Sequence, residues 1–160
     1  MAAAQIGVIS DTHGLLRPEV LAALRGSDFI IHAGDIGALE VLQELQKIAP
    51  VTAIRGNVDK GGWASRLRET EVLDVNGDEA GGISIYILHD LAQLDLKAKA
   101  AGFSVVVSGH SHIAKQETRD GVLYFNPGSA GPRRFKLPVT LGRLTIIGGK
   151  VESEIIMLNA

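Results

Sequence analysis

Short apolar runs alternate with segments of helical spacing over the first two thirds of the chain. QIGVIS (5–10), DFIIH (28–32) and VTAIR (51–55) are apolar and β-branched on both faces, the pattern of buried parallel strands. Between them, Pro18 opens a segment that carries Val20, Leu21 and Leu24 on one side and stops at Gly26, predicting a helix. Leu39, Leu42, Leu45 and Ile48 predict a second helix that ends before Pro50. KGGWASRLRE (60–69) breaks the pattern with glycine and charge and reads as a surface loop. GISIYILH (82–89) predicts another strand, LAQLDLKAKAA (91–101) a third helix ending at Gly102, and FSVVVSGH (103–110) a further inner strand. From Ile113 onward the pattern becomes hairpins, one around Asp120-Gly121 and one around Gly148-Gly149. Strands with helices first and hairpins last predict an α/β fold of two packed sheets with helices outside. No repeat, low-complexity tract or linker interrupts residues 1–160, so a single domain is expected.

Composition sharpens this in three ways. Aromatic residues are only 4% against 46% hydrophobic overall, so the core must be Val, Ile, Leu and Ala. Sixteen basic residues face eighteen acidic ones with no basic block, which argues against a stable nucleic-acid partner or a membrane-surface helix. Cysteine is absent, excluding disulfides and thiolate metal ligands and fitting a reducing compartment. MAAAQIGVISD reads as a first strand and not as a signal peptide, and no apolar run reaches the roughly 18 residues of a membrane span. A cytoplasmic protein is expected.

In open α/β sheets, ligands gather at the carboxyl ends of the strands. Asp11-Thr12-His13 follows the first strand, Gly34-Asp35 the second and Gly56-Asn57 the third. His89 follows the next, and Gly109-His110-Ser111-His112 the last inner one. Four of the five histidines therefore stand at strand ends. Asp, His and Asn without thiolate suit Mn²⁺, Fe²⁺, Zn²⁺, Co²⁺ or Ni²⁺ and not a structural zinc cage. Seven ligands are too many for one ion with an open position and about right for two sharing a carboxylate. Asp35, in the middle of the set, is the natural bridge, because a carboxylate offers two oxygens. Along an extended chain, residues two apart project the same way, so His110 and His112 can each reach a different ion. Gly109 leaves the backbone room to bend toward them.

DTH, GD, GN, a lone His and GHSH, in this order and followed by Asn126-Pro127-Gly128-Ser129 and Pro132-Arg133, resemble the calcineurin-like metallophosphoesterase superfamily. The short length and the late NPGS point to its small bacterial and archaeal phosphodiesterases. That resemblance implies a four-layer α/β/β/α sandwich of two mixed sheets flanked by helices. It implies two divalent ions, Mn²⁺ foremost: Asp11, His13 and His112 would hold the first, Asn57, His89 and His110 the second, and Asp35 both. The implied reaction is hydrolysis of a small-molecule phosphodiester by in-line attack of a hydroxide held by Asp35 and the ion pair, without a protein nucleophile. Phosphomonoesterase or nucleotidase activity, or a non-catalytic scaffold of the same fold, are the alternatives. Two positions depart from the wider pattern. Val58 stands where many relatives carry a His that assists the leaving group, which fits the small subgroup and implies reliance on the metals alone; Asp59 becomes the first suspect for a proton donor only if the rate proves independent of leaving-group pKa. Asp90 follows His89 where Gly is usual.

The remaining polar residues are expected to be structural. His32, inside its strand, reads as a core histidine and Trp63 as an anchor for its loop. Arg55 reads as a phosphate contact or a salt bridge, and Asn126-Pro127-Gly128 as a turn that buttresses the ligand loops. Arg133 and Arg134 read as solvated charges or as contacts in a homo-oligomer.

Overall fold

The computed structural model describes residues 3–76, 82–134 and 136–159. In chain order the elements are β1 (Ala4–Ile9), α1 (Pro18–Leu24), β2 (Phe29–His32), α2 (Leu39–Gln46), β3 (Val51–Ala53), β4 (Thr70–Val75) and β5 (Ile83–Leu88). β6 (Val105–Val107), β7 (Lys115–Arg119), β8 (Val122–Asn126), β9 (Thr140–Ile147) and β10 (Lys150–Met157) follow. They form two mixed sheets of five strands, ordered β10-β9-β1-β2-β3 and β4-β5-β6-β8-β7. The inner strands β1, β2 and β3 are parallel, as are β5, β6 and β8, and antiparallel hairpin strands flank each set.

Alternation within the strands sets the layers. In β5, Ile83, Ile85 and Ile87 turn to the interior between the sheets, where they meet Ile6, Val8, Ile31, Val105, Val107 and Phe125. Tyr86 and Leu88 turn the other way, into a separate cluster. Both faces of the inner strands are thus buried, and each aliphatic side chain so buried contributes roughly 1.5–3 kcal/mol. α1 and α2 cover the first sheet with Val20, Leu24, Val41, Leu42 and Leu45 packed on Ile9 and Ile30.

Over the second sheet the covering layer is not the third helix expected for 91–101. The chain makes one short 3₁₀ turn at Leu91–Gln93, where the Asp90 side chain accepts from the Ala92 N–H, and then extends into a further turn. The apolar spacing explains this. Leu94, Leu96 and Ala98 recur every second residue, so an extended chain lays all three on the Tyr86 cluster, whereas a helix would spread them around its circumference. β4 was not anticipated either. It pairs antiparallel with β5 at the sheet edge, and its exposed Thr70, Val72 and Asp74 leave too little apolar contrast to mark a strand.

Candidate metal centre

Parallel pairing of β1 with β2 aligns Ile9 with His32, so the chain leaves both strands side by side. The Asp11 N–H donates to Gly34 O (3.0 Å) and the His13 N–H to Asp35 O (2.9 Å), which ties the two loops together. From the second sheet, the Gly109 N–H donates to His89 O (2.9 Å) and the His110 N–H to Asp11 Oδ2 (3.1 Å). The second sheet's loops therefore land on the first sheet's carboxylates.

The side chains gather in two sets. Asp11, His13 and His112 present ligand atoms within 4.8 Å of one another, and so do Asp35, His89 and His110. Asp35 Oδ2 lies 3.1 Å from His89 Nε2 and 3.8 Å from His13 Nε2, and so stands between the sets. Asp11 Oδ1 lies 3.4 Å from His112 Nε2 and 3.9 Å from His89 Nε2. Asn57 is exposed and lines the same mouth as His89 and His110.

These residues sit on strained backbone. Seven non-glycine residues among those described have a positive φ, and five belong to the set: Asp11 (58°), His13 (46°), Asp35 (54°), His110 (71°) and His112 (64°). Each such conformation costs roughly 1–3 kcal/mol unless its surroundings impose it. This corrects the extended-chain account of His110 and His112. They do reach different sets, but through two left-handed residues around Ser111 and not through strand alternation.

Glycine is needed where the loops touch. A Cβ on Gly109 would lie 2.0 Å from Ser10 Oγ, and one on Gly56 would lie 2.2 Å from both Asp35 N and Asp35 Oδ1. Gly109 serves close approach to Ser10 and Asp11.

Hydrogen bonding leaves particular atoms free. Asp11 Oδ2 accepts from the Ser10 hydroxyl (2.7 Å) and the His110 N–H, while Oδ1 has no hydrogen-bond partner. The His89 Nδ1–H donates to Ala33 O (2.7 Å), so the Nε2 lone pair is the one turned into the site. At 3.1 Å from Asp35 Oδ2, Nε2 is close but not aligned as a hydrogen bond. His13 Nε2 and His112 Nδ1 are also buried without a partner. Orphaned buried acceptors this close together are costly unless a cation joins them, so the residues fit divalent metal.

Electrostatics agree. Burial lifts the Asp11 carboxyl above its usual range despite the Ser10 hydroxyl. Burial acts the same way on Asp35, but His89 and the Val58 N–H overcome it and hold Asp35 down at about 2. For His89 burial disfavours the charge, yet Asp35 and the Ala33 carbonyl outweigh it and raise its pKa. Burial lowers that of His112. The Asp35 carboxylate, held ionised beside the His89 Nε2 lone pair, is a donor pair of the kind a divalent cation joins.

His32 is fully buried beside the centre, not in it. Its Nδ1 accepts the Gly34 N–H (3.2 Å), so Nε2–H donates to Thr12 Oγ1 (2.9 Å), whose own proton goes to Ile36 O (2.8 Å). Burial holds its pKa down at about 3. The unfolded chain binds a proton there below about pH 6.5 and the fold does not, so stability falls as pH drops toward 3. We expect His32→Asn to lower stability at pH 7 and to flatten the acid limb by up to about 1.4 kcal/mol per pH unit between roughly pH 6 and 4. Thermal melts of metal-free protein would test this, and parallel acid limbs in the two proteins would refute it.

The Asp59 side chain is committed to backbone donors. Its carboxylate is buried and accepts the N–H groups of Ile36 (3.1 Å), Gly37 (2.9 Å) and Gly56 (2.8 Å), which clamps the Asp35 loop to the Asn57 loop. Sequence reasoning missed this role. Its only signal was an Asp three residues after a loop glycine. Arg55 pairs with Glu69 at 3.1 Å, and Trp63 packs its loop on the α1–α2 cluster. Asn126 Nδ2 donates to Gly109 O (3.0 Å) and Ser111 Oγ (3.1 Å), and its Oδ1 accepts the Gly128 N–H, which buttresses the histidine loop. Arg133 and Arg134 are exposed. Asp90 Oδ2 lies 4.0 Å from His110 Nε2.

Residues 5–149 match the calcineurin-like phosphoesterase superfamily domain. The chain belongs to that superfamily. It is 33% identical to a probable metallophosphoesterase of Methanothermobacter thermautotrophicus over 97% of its own length and 93% of the relative's. It is 30% identical to a phosphodiesterase of Methanocaldococcus jannaschii, covering 78% and 82% of the two chains. A solved archaeal phosphodiesterase superposes with a TM-score of 0.78 at 25% identity, over 96% of this chain and 99% of that one. Family and fold together make this an α/β phosphoesterase domain with candidate Asp and His groups for divalent metal. No described helix is long and apolar enough to cross a membrane.

Proposed function

We propose that this protein is a dinuclear metal-dependent phosphodiesterase, with Mn²⁺ the ion of first choice. Asp11, His13 and His112 hold one ion, Asn57, His89 and His110 the other, and Asp35 joins both. The observation that carries this reading is the position of Asp35 Oδ2, between His89 Nε2 at 3.1 Å and His13 Nε2 at 3.8 Å. When bound, two divalent ions supply Lewis-acid charge and lower the pKa of water to about 7.

The protein's own part is to hold and orient. Asp11 and Asp35 return two negative charges against four positive, which favours an anionic ester. Most hydroxyls around the centre already take part in hydrogen bonds. Ser10 donates to Asp11 Oδ2, Thr12 to Ile36 O, and Ser129 to Asp11 O, while Ser111 Oγ accepts from Ile113 N–H and Asn126. That supports a reaction without a protein nucleophile. Val58 cannot donate a proton and Asp59 is held by three N–H groups, so the departing oxygen receives no help from either.

The rate should therefore fall steeply as the leaving-group pKa of a diester series rises. Val58, 45% exposed at the site, can be changed without touching the core, and Val58→His should speed alkyl leaving groups by up to about 100-fold. Mn²⁺-loaded protein assayed on graded aryl and alkyl diesters, with matched monoesters alongside, tests this. Faster monoester turnover, or a rate independent of leaving-group pKa with chemistry limiting, would overturn the reading. Metal-free purification and inactivity after Mn²⁺ addition would mark a scaffold.

A further inference from the structure

Two cavities meet at Asp90 and His110, and their linings differ. One, of about 580 Å³, is walled by Arg55, Glu69, Gln93 and Asp95, with Asn57 and His89 at its inner end. The other, of about 360 Å³, runs the opposite way, under the histidine loop and over β7 and β8. Leu91, Ile113, Tyr124 and Phe125 supply its apolar wall. Ile113 is 56% exposed although it directly follows His112, an apolar side chain left open beside the candidate metal ligands.

The formal charges lining that cavity sum to zero, Lys115 and Arg119 against Glu117 and Asp90. Lys115 lies 3.1 Å and Arg119 3.8 Å from the Glu117 carboxylate, and the Arg119 guanidinium sits 4.1 Å over the Tyr124 ring. Asn126 is hydrogen-bonded through both ends of its amide. No unpaired cation is left among these groups to draw an anionic substituent. A cavity of this size with an apolar wall and satisfied polar groups suits an uncharged, flat, apolar group.

A phosphodiester carries two substituents on one phosphorus, and here two clefts diverge from one ligand, His110. We infer that the substrate is an unsymmetrical phosphodiester: one uncharged aromatic arm seats against Leu91, Ile113 and Tyr124, and one hydrophilic arm lies in the Arg55–Asp95 cleft. This rests on the phosphodiesterase reading above and adds to it the chemical class of the two ester groups. Ile113 sets the preference for the aromatic arm by covering it, and touches no reacting atom.

Calorimetric titration of the Mn²⁺-loaded protein with dimethyl, methyl phenyl and diphenyl phosphate tests it. Methyl phenyl phosphate should bind about tenfold tighter than dimethyl phosphate. Diphenyl phosphate should gain little more, because only one cleft is apolar. Ile113→Ser should weaken methyl phenyl phosphate about fivefold and leave dimethyl phosphate unchanged. Equal affinity for the first two esters, a second tenfold gain for diphenyl phosphate, or an indifferent Ile113→Ser protein would each overturn the assignment. Turnover of bis(4-nitrophenyl) phosphate, followed in parallel, reports on catalysis alone. Its absence would sink the phosphodiesterase reading while the order of affinities still decides the clefts.

Discussion

Asp35→Asn is expected to leave the protein unable to retain either metal ion, with turnover of any phosphoester falling to background. Asp35 Oδ2 lies within 4 Å of an imidazole from each set, His13 and His89. Replacing it with a neutral amide removes a charge that both ions would share. Altering even an outer-shell partner of a metal site typically costs 10–100-fold in affinity, so loss of a shared ligand should exceed about 100-fold. The fold should survive, because the Asn side-chain oxygen can still accept the Val58 N–H that Asp35 Oδ1 accepts at 3.1 Å. Elemental analysis after gel filtration, with denaturant unfolding of the metal-free forms beside it, separates the two effects. Two tightly held ions per Asp35→Asn chain would show that the bridge lies elsewhere.

Asp59→Ala should give the largest loss of stability among substitutions around the centre. Three backbone N–H groups, of Ile36, Gly37 and Gly56, converge on its buried carboxylate. An orphaned buried donor costs roughly 1–3 kcal/mol, and the three together should cost about 4 kcal/mol once some water enters. The same change frees the Asn57 loop from the Asp35 loop, so metal affinity should fall as well, although Asp59 binds no metal. Asp59→Asn keeps an acceptor oxygen and should recover about half of the stability. Urea unfolding of metal-free wild-type, Ala and Asn proteins measures this. A penalty under about 1 kcal/mol for Asp59→Ala would mean that the loops are held together by other contacts.

Much of the site could be read before any coordinates, because ligand chemistry and strand ends are both local. Asp11, Asp35, Asn57, His89 and His110-Ser111-His112 each follow an apolar β-branched run, and those runs became β1, β2, β3, β5 and β6. The hairpin turns at Asp120-Gly121 and Gly148-Gly149 were visible for the same reason, since positive φ favours Gly and Asp, and all four residues adopt it. Misreadings arose where a local pattern was ambiguous. The stretch 91–101 is rich in Leu, Ala and Lys, good helix formers, but its apolar residues fall every second position after Leu94. Burial on the second sheet then overrode propensity. β4 exposes Thr70, Val72 and Asp74 at a sheet edge and carries too weak a contrast to be seen. Asp59 could not be told from a solvent-facing acid, because two of the three donors it satisfies lie on the Asp35 loop, 23 and 22 residues away.

What the sequence by itself determined is the inventory: which strands are buried on both faces, where they end, and which oxygen and nitrogen donors stand there. Hydrophobic periodicity specifies which side of an element is buried, and side-chain identity specifies what can bind a cation. Neither carries information about what lies across the core. Grouping the donors required the parallel register of β1 and β2, which sets the Asp11 and Asp35 loops side by side. It also required the second sheet, whose His110 N–H reaches Asp11 and whose His89 Nδ1–H reaches Ala33. The left-handed backbone at five of the candidate ligand positions was equally invisible, because outside turns non-glycine residues adopt it chiefly where their surroundings impose it. Tertiary structure thus decided which side chains come close enough to share an ion, since that depends on contacts between residues far apart in the chain, such as Asp11 and His110.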